Sequence, residues 1–268
     1  MLGNRYLQLF VSLFFWSIQE LGYSLRWLFG KSAGRLKVLC YHEVTAKQVP
    51  QFRRQMYWLK KLTTPVFADV PLPLRSGFLS AVTFDDGFQT LLTHALPLLE
   101  QEEIPVTLFI PSACLGQLPV WLKNTAHPTA QEWIMTPAQL QDLSKTGVRI
   151  GSHSATHADL RVAPLEILRQ ELDESKQTLQ KLMGYEINLL AFPFGRFNQA
   201  VLENAHAIGY TRVFAADPLL DANDFLFERL DVYPEMSVLE FILKIRGGYD
   251  WLPRANHWVE SAKQFFKS

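Results

Sequence analysis

Two acidic residues side by side, Asp85 and Asp86, end the short apolar run Ala81 to Phe84 and are followed by Gly87. The run reads as a buried strand, so the carboxylates stand where the chain leaves the core. Neighbouring strand residues point to opposite sides, and glycine permits a sharp turn. One carboxylate can therefore hold a cation while the other handles a proton. The same residues also fit a plain helix start, with Asp86 capping a helix from Phe88 to Glu102. A second stretch, Ile150 to Leu160, weighs against that plain reading. It places His153 and His157 four residues apart among Gly151, Ser152, Ser154 and Thr156. From that spacing both imidazoles reach one cation out of a helical turn or a tight loop. With one aspartate they complete a three-ligand site that leaves a position for water, as hydrolysis at a divalent metal requires.

The elements that must position these residues alternate along the chain. Apolar runs predict strands near Val38, Val82, Leu108, Val148, Leu190, Val213 and Leu230. Helical periodicity predicts helices over Phe52 to Leu62, Phe88 to Glu102, Pro137 to Thr146, Pro164 to Met183, Gln199 to Ile208 and Val238 to Ile245. Short strands that are apolar on both faces are parallel and covered by helices. About seven such units close more naturally into a barrel than into an open sheet. His42, Asp85, Asp86, His153 and the Pro193-Phe194 segment all fall just after predicted strands, at the end where barrels build active sites. Pro119 to Trp133 lacks periodicity and reads as a loop over the mouth, held down by its tryptophans, with stacking of exposed aromatics on sugar rings as the alternative.

TFDDG at Thr83 to Gly87 and HSATH at His153 to His157 resemble the first two motifs of the polysaccharide deacetylases, the NodB-homology group also called carbohydrate esterase family 4. AFPFG at Ala191 to Gly195 is similar to that family's Pro-aromatic-Gly segment. The resemblance runs from about Arg35 to about Arg246. It implies an α/β fold, a distorted (β/α)7 barrel of the NodB type, here preceded by an amphipathic, apolar N-terminal helix. It also implies Asp86, His153 and His157 as metal ligands, with zinc as the expected cation and cobalt or another divalent ion as substitute. Asp85 is then the general base. The backbone N–H of Phe194 joins the metal as a candidate for holding the oxyanion, because Pro193 cannot donate and Gly195 lets the chain approach closely.

Two departures from the common family pattern matter. Ala191 stands where many members carry an Arg that orients the base. The expected C-terminal Leu-x-x-x-His is missing, and only His257 follows Arg229. Both departures resemble a branch of the family that deacetylates biofilm poly-N-acetylglucosamine, in which an early Tyr-His supplies the acid. Here that pair is Tyr41-His42, so His42 is the expected acid, approaching the mouth from the side opposite Asp85. Arg229 is the expected partner of Asp85, although a surface salt bridge to Glu228 or Asp231 would explain it as well.

The chain has 268 residues, enough for one large α/β domain and too few for two. It divides into an apolar helix and linker over 1–34, read as a membrane anchor, a catalytic domain over 35–250, and a C-terminal helix or tail over 251–268. With 26 basic and 26 acidic residues the charge is balanced, so no nucleic-acid partner is expected. Cys40 and Cys114 lie in apolar runs and read as buried free thiols. In Tyr6 to Phe29 the residues Leu7, Phe10, Val11, Phe14, Ile18, Leu21, Leu25 and Leu28 recur at helical spacing. The uninterrupted apolar part, Leu9 to Ile18, stops at Gln19 and Glu20, short of the roughly 20 residues of a membrane span. Residues 6–29 are therefore expected to lie on a membrane surface, with Arg5, Arg26, Lys31, Arg35 and Lys37 toward the headgroups. The alternative is a helix that packs on the domain or mediates dimerisation.

Together these features predict a metal-dependent, membrane-associated or cell-envelope hydrolase. It would remove acetyl groups from N-acetylated sugars of a cell-surface or exported glycan or its lipid-linked precursor. An O-acetyl esterase or another amidase would use the same residues. A catalytically inactive, membrane-attached glycan-binding protein is the alternative of a different class. A base beside the metal counts against it.

Overall fold

A computed structural model describes residues 5–28, 34–71, 77–123, 125–143, 147–216 and 223–252. In chain order the elements are α1 (Arg5–Leu28), β1 (Arg35–Tyr41), α2 (Val49–Leu62), β2 (Thr64–Pro65), β3 (Phe78–Phe84), α3 (Thr90–His94), α4 (Leu96–Gln101) and β4 (Val106–Ile110). They continue with α5 (Pro137–Leu143), β5 (Arg149–Ser152), α6 (Leu165–Met183), β6 (Leu189–Ala191), α7 (Gln199–Ala207), β7 (Arg212–Ala215), β8 (Leu226–Asp231) and α8 (Val238–Ile245). All strand pairings are parallel. β1 pairs with both β3 and β8, which closes β1-β3-β4-β5-β6-β7-β8 into a seven-stranded barrel, with β2 a two-residue flap beside β3.

The period-2 alternation of strand side chains sorts the core into two shells. Val38, Ala81, Phe109, Leu189, Ala191 and Phe214 fill the lumen. Leu39, Val82, Leu108, Leu190 and Val213, one residue along, pack outward against the helices. Counting on by two from Val38, Ala81 and Phe227 brings Cys40, Thr83, Asp85 and Arg229 onto the inward face at the upper end of the barrel. The register agrees, with Tyr41 opposite Phe84 and Cys40 opposite Asp231.

The predicted helices over 52–62, 164–183, 199–208 and 238–245 lie where expected, to within a few residues. The single helix expected over 88–102 is two, broken at Ala95. Pro97 has no N–H to give the preceding turn and its ring crowds that turn, so the helix restarts. Asp86 caps neither piece, because the N-cap of α3 is Gln89. β2 was not foreseen, being too short to show a period. The last residues of the expected 137–146 helix, 144–146, lie outside the described residues, as does the tail from 253 on, including His257.

No helix among the described residues is long and apolar enough to cross a membrane. α1 packs on the end of the barrel where the strands begin. Both Glu20 carboxylate oxygens accept from Arg246 at 2.6 Å. The Arg246 guanidinium lies 3.8 Å over the Phe78 ring, and the Tyr23 ring is 4.7 Å from Phe78. The Trp251 indole N–H donates to Ser12 at 2.9 Å. Two of the basic residues expected to face headgroups are engaged by the protein itself. Lys37 pairs with Asp250 at 3.0 Å, and Arg35 lies 5.2 Å over the Tyr23 ring.

Gly151 faces Phe109 across the β4–β5 pairing, and a Cβ there would come within 2.5 Å of that ring. Gly151→Ala should therefore overpack the lumen and lower stability by about 1–3 kcal/mol. Urea denaturation checks this, and an unchanged midpoint would show that the ring yields freely.

Candidate active site

Strands β1, β3, β5 and β8 deliver His42, the Asp85-Asp86 pair, His153 and Arg229 to one mouth, and the turn after β6 adds Phe194. They line a cavity of about 390 Å³ together with Trp121 and Tyr233. Four of the five non-glycine residues with positive φ among the described residues sit here: Asp86 (66°), Ser154 (62°), His157 (62°) and Phe194 (59°). Each such residue costs about 1–2 kcal/mol, and their clustering at one mouth marks where the fold spends strain on aiming side chains. Gly87 shares the geometry for a steric reason, since a Cβ on it would meet Ile110 Cδ1 at 2.4 Å.

Asp86, His153 and His157 each offer a ligand atom, and these atoms lie within 4.8 Å of one another. His157 Nε2 is 3.4 Å and His153 Nε2 3.9 Å from Asp86 Oδ1. His153 Nδ1 donates to the Ala191 carbonyl at 2.8 Å, which fixes the tautomer and turns a lone pair on Nε2 toward the carboxylate. Burial pushes His153 down to about 4 and His157 down to about 2, so both rings are neutral. Burial, followed by the charge of Asp85, pushes Asp86 well above the usual carboxylate range. Asp86 Oδ1 and His157 Nδ1 are buried without a hydrogen-bond partner. The unpartnered Asp86 Oδ1 faces the Nε2 atoms of both imidazoles across gaps of 3.4 and 3.9 Å, an arrangement that a divalent cation satisfies, so the residues present fit the metal that the family motifs imply.

Asp85 is held differently. Arg229 clamps both its oxygens, Nη1 to Oδ1 at 2.6 Å and Nη2 to Oδ2 at 2.7 Å, and the Cys40 thiol donates to Oδ2 at 3.4 Å. A carboxylate has about four lone-pair sites; with three taken, one on Oδ1 remains for a water. Burial alone would raise the Asp85 pKa, but the Arg229 charge, together with the hydrogen bonds Arg229 donates, outweighs burial and holds the carboxyl well below the usual range. His42 is exposed and has a ring nitrogen within 4.8 Å of a carboxylate oxygen of Asp85. Because β1 lies beside β3, it approaches from alongside Asp85 and not from the opposite side as expected. Phe194 is half-exposed, and its ring meets His157 edge-on with centroids 4.7 Å apart.

Sequence reasoning missed three contributors. Glu171, on α6, accepts from the backbone N–H groups of Ala155 and Thr156 at 3.0 and 2.9 Å and from the Thr156 hydroxyl at 2.6 Å. It thereby clamps the loop between the two histidines. Trp121 stacks on His157 with centroids 4.0 Å apart and planes 13° from parallel. The loop is packed down as expected, but onto the site itself, while Trp133 stays 53 % exposed. Cys40 is a buried free thiol, as expected, and also a donor to Asp85.

A closed parallel barrel with an Asp-His-His cluster and a clamped second carboxylate at its C-terminal mouth defines the class, a hydrolase with a candidate metal centre. The sequence profile described as polysaccharide deacetylase matches residues 76–213, just over half of the chain. The chain belongs to the polysaccharide deacetylase family, hydrolases that remove N-acetyl groups from sugars. It is 24 % identical over 228 residues to YxkH of Bacillus subtilis (strain 168), covering 79 % of this chain and 76 % of that protein. It is 28 % identical over 142 residues to the peptidoglycan-N-acetylmuramic acid deacetylase PdaA of the same organism, covering 52 % of this chain and 47 % of PdaA. In fold it is similar to IcaB from Ammonifex degensii, with a TM-score of 0.65 at 19 % identity, covering 80 % of this chain and 99 % of that one. PplD of Streptococcus pyogenes gives 0.63 at 18 %, with the same coverage.

Glu171→Ala strands two backbone donors under the histidine loop and should weaken metal retention by about 10–100-fold, the usual scale for groups that hold ligands in place. Competition against a chelating dye measures this, and wild-type affinity would show that the loop needs no clamp. Arg229→Gln removes the charge that holds the Asp85 pKa down while leaving the carboxyl buried. The acid limb of the kcat/KM profile should therefore move to higher pH. A limb that stays in place would mean that Asp85 does not set it.

Proposed function

We propose that the protein is a metal-dependent deacetylase of an N-acetylated cell-surface or exported glycan, working at a membrane surface on which α1 rests. One observation carries the catalytic part, a second carboxylate buried beside the Asp-His-His cluster and clamped by a buried arginine. A binding protein would gain nothing from it, since burying an extra ion pair carries a desolvation cost of several kcal/mol per ion. The family match supports the substrate class, as does the peptidoglycan sugar named for PdaA.

Asp86, His153 and His157 would hold the cation, and their nitrogen and oxygen donors suit zinc, with cobalt as a substitute. Bound there, a divalent cation supplies Lewis acidity that polarises the acetyl carbonyl and acidifies water. Asp85 accepts the proton of the attacking water at its remaining Oδ1 lone pair, while Arg229 and Cys40 keep the carboxylate from turning. The Phe194 backbone N–H donates to the carbonyl oxygen as it gains charge. His42 protonates the amide nitrogen as the C–N bond breaks, because an amine leaves poorly otherwise. Water adds to the acyl carbon, and the products are acetate and a free amino sugar.

Chelation should abolish acetate release from N-acetylglucosamine oligomers, and zinc or cobalt should restore it; full turnover by metal-stripped protein would sink the proposal. Asp86→Ala and His153→Ala should lose bound metal, whereas Asp85→Asn should keep it and be inactive. His42→Ala should lower turnover on the amide by roughly a hundredfold or more, with metal content unchanged. An acetyl ester with a good leaving group should be affected far less. Wild-type amide turnover in that variant would remove His42 from the mechanism.

A further inference from the structure

α1 is turned inside out compared with an ordinary surface helix. Two of its polar side chains face the barrel, where Ser12 meets Trp251 and Glu20 meets Arg246. Its apolar stripe faces outward, with Leu7, Phe10, Phe14, Ile18 and Leu21 between 44 and 70 % exposed. These residues follow one another at spacings of three or four, so they form a single continuous face. The stripe presents no charge, and the exposed Ser17 at its edge donates its hydroxyl to the Leu13 carbonyl at 2.9 Å, so a hydrocarbon phase satisfies the face without shape matching.

Charge selects among the occupants of this face. Residues 1–31 carry Arg5, Arg26 and Lys31 against the single acid Glu20, whose charge Arg246 neutralises. A second copy would bring the same positive segment against itself. The tail over 253–268 is also net positive, with Arg254, Lys263 and Lys267 against Glu260. An anionic lipid surface is complementary to both the stripe and its flanks.

The position of α1 fixes the orientation. Arg35 and Phe78, which it packs against through Tyr23, are the first residues of β1 and β3. Arg246, which holds Glu20 and also donates to the carbonyl of Leu62, ends α8 near the end of α2. The catalytic side chains follow the last residues of the strands. The two ends are separated by the seven residues of β1, about 20 Å at roughly 3.3 Å per residue.

We infer that α1 seats the barrel on an anionic lipid surface with its mouth turned away from that surface. The substrate is then a glycan segment standing in the aqueous phase, and not an acetylated sugar carried on a lipid of the same surface. The orientation stands on α1 alone, whereas the substrate class rests on the deacetylase reading.

The test uses the full chain with Phe14→Cys or Val120→Cys labelled with a fluorophore; the native Cys40 and Cys114 are buried and escape labelling. Vesicles of phosphatidylcholine and phosphatidylglycerol carry nitroxide lipids. Binding should rise with the phosphatidylglycerol fraction and weaken with salt. The label at position 14 should be quenched severalfold, and that at 120, beside Trp121 at the mouth, should stay bright. Absence of vesicle binding, self-association that hides position 14 instead, or equal quenching at 120 would overturn the inference. In a second arm the bound enzyme should release acetate from soluble N-acetylglucosamine oligomers. A lipid bearing one N-acetylglucosamine should react at least tenfold more slowly in vesicles than in detergent micelles, and equal rates would overturn the substrate assignment. No acetate from either substrate, with the quenching contrast intact, would refute the deacetylase reading while supporting the orientation.

Discussion

The site depends on the ion pair between Asp85 and Arg229, both buried in the upper lumen and joined by two hydrogen bonds of 2.6 and 2.7 Å. Removing one partner of such a buried pair costs about 3–5 kcal/mol, because the other charge is left uncompensated. Here the pair also separates the duties of two adjacent carboxylates. Asp85 is held ionised by the guanidinium, whereas Asp86, facing two neutral imidazoles, has its charge disfavoured by burial and by Asp85. Pairs of acids driven apart by their surroundings are how one fold obtains two kinds of carboxylate at the same pH. A carboxylate held so far down is a weak proton acceptor by itself, so in the proposed mechanism what Asp85 contributes is placement of its one remaining lone pair.

The cluster opposite is kept by constraints of another sort. The His153 tautomer is fixed by the Ala191 carbonyl, the loop to His157 hangs from Glu171, and Trp121 closes one face of the His157 ring. The backbone at Asp86, Ser154 and His157 is left-handed, so the candidate ligand atoms are aimed by main-chain geometry as much as by side-chain rotamers. Such a site is built before any cation arrives, which favours tight binding over adaptability.

Much of this was legible in the residues. The alternation of apolar runs with amphipathic stretches identified the seven barrel strands, and acids and histidines just after those strands marked the mouth. The Arg229 partnership is expected from Ala191 standing where the family resemblance implies an arginine, with a surface salt bridge as the alternative; that Arg229 turns inward with Phe227 follows from the placement of β8 in the barrel. Other features leave no local trace. Glu171 lies in ELDESKQ, where a buried acid looks like any solvated charge on a helix. The neighbourhood of His42 follows from β1 being inserted between β3 and β8, a pairing that depends on closure of the whole sheet. The break at Ala95 was signalled by Pro97 and overridden by the apolar period around it.

That insertion of β1 has a consequence for how the molecule comes into being. The Asp85–Arg229 bond joins residues 144 apart and spans the seam where the last strand meets the first. During synthesis Asp85 has no guanidinium until β8 emerges, and until then β1 has an open edge. Bringing distant segments together delays folding, so the barrel and its chemistry arrive in one late event. A partly made chain exposes neither a clamped carboxylate nor a finished mouth, and hydrolytic competence becomes a property of the closed ring alone.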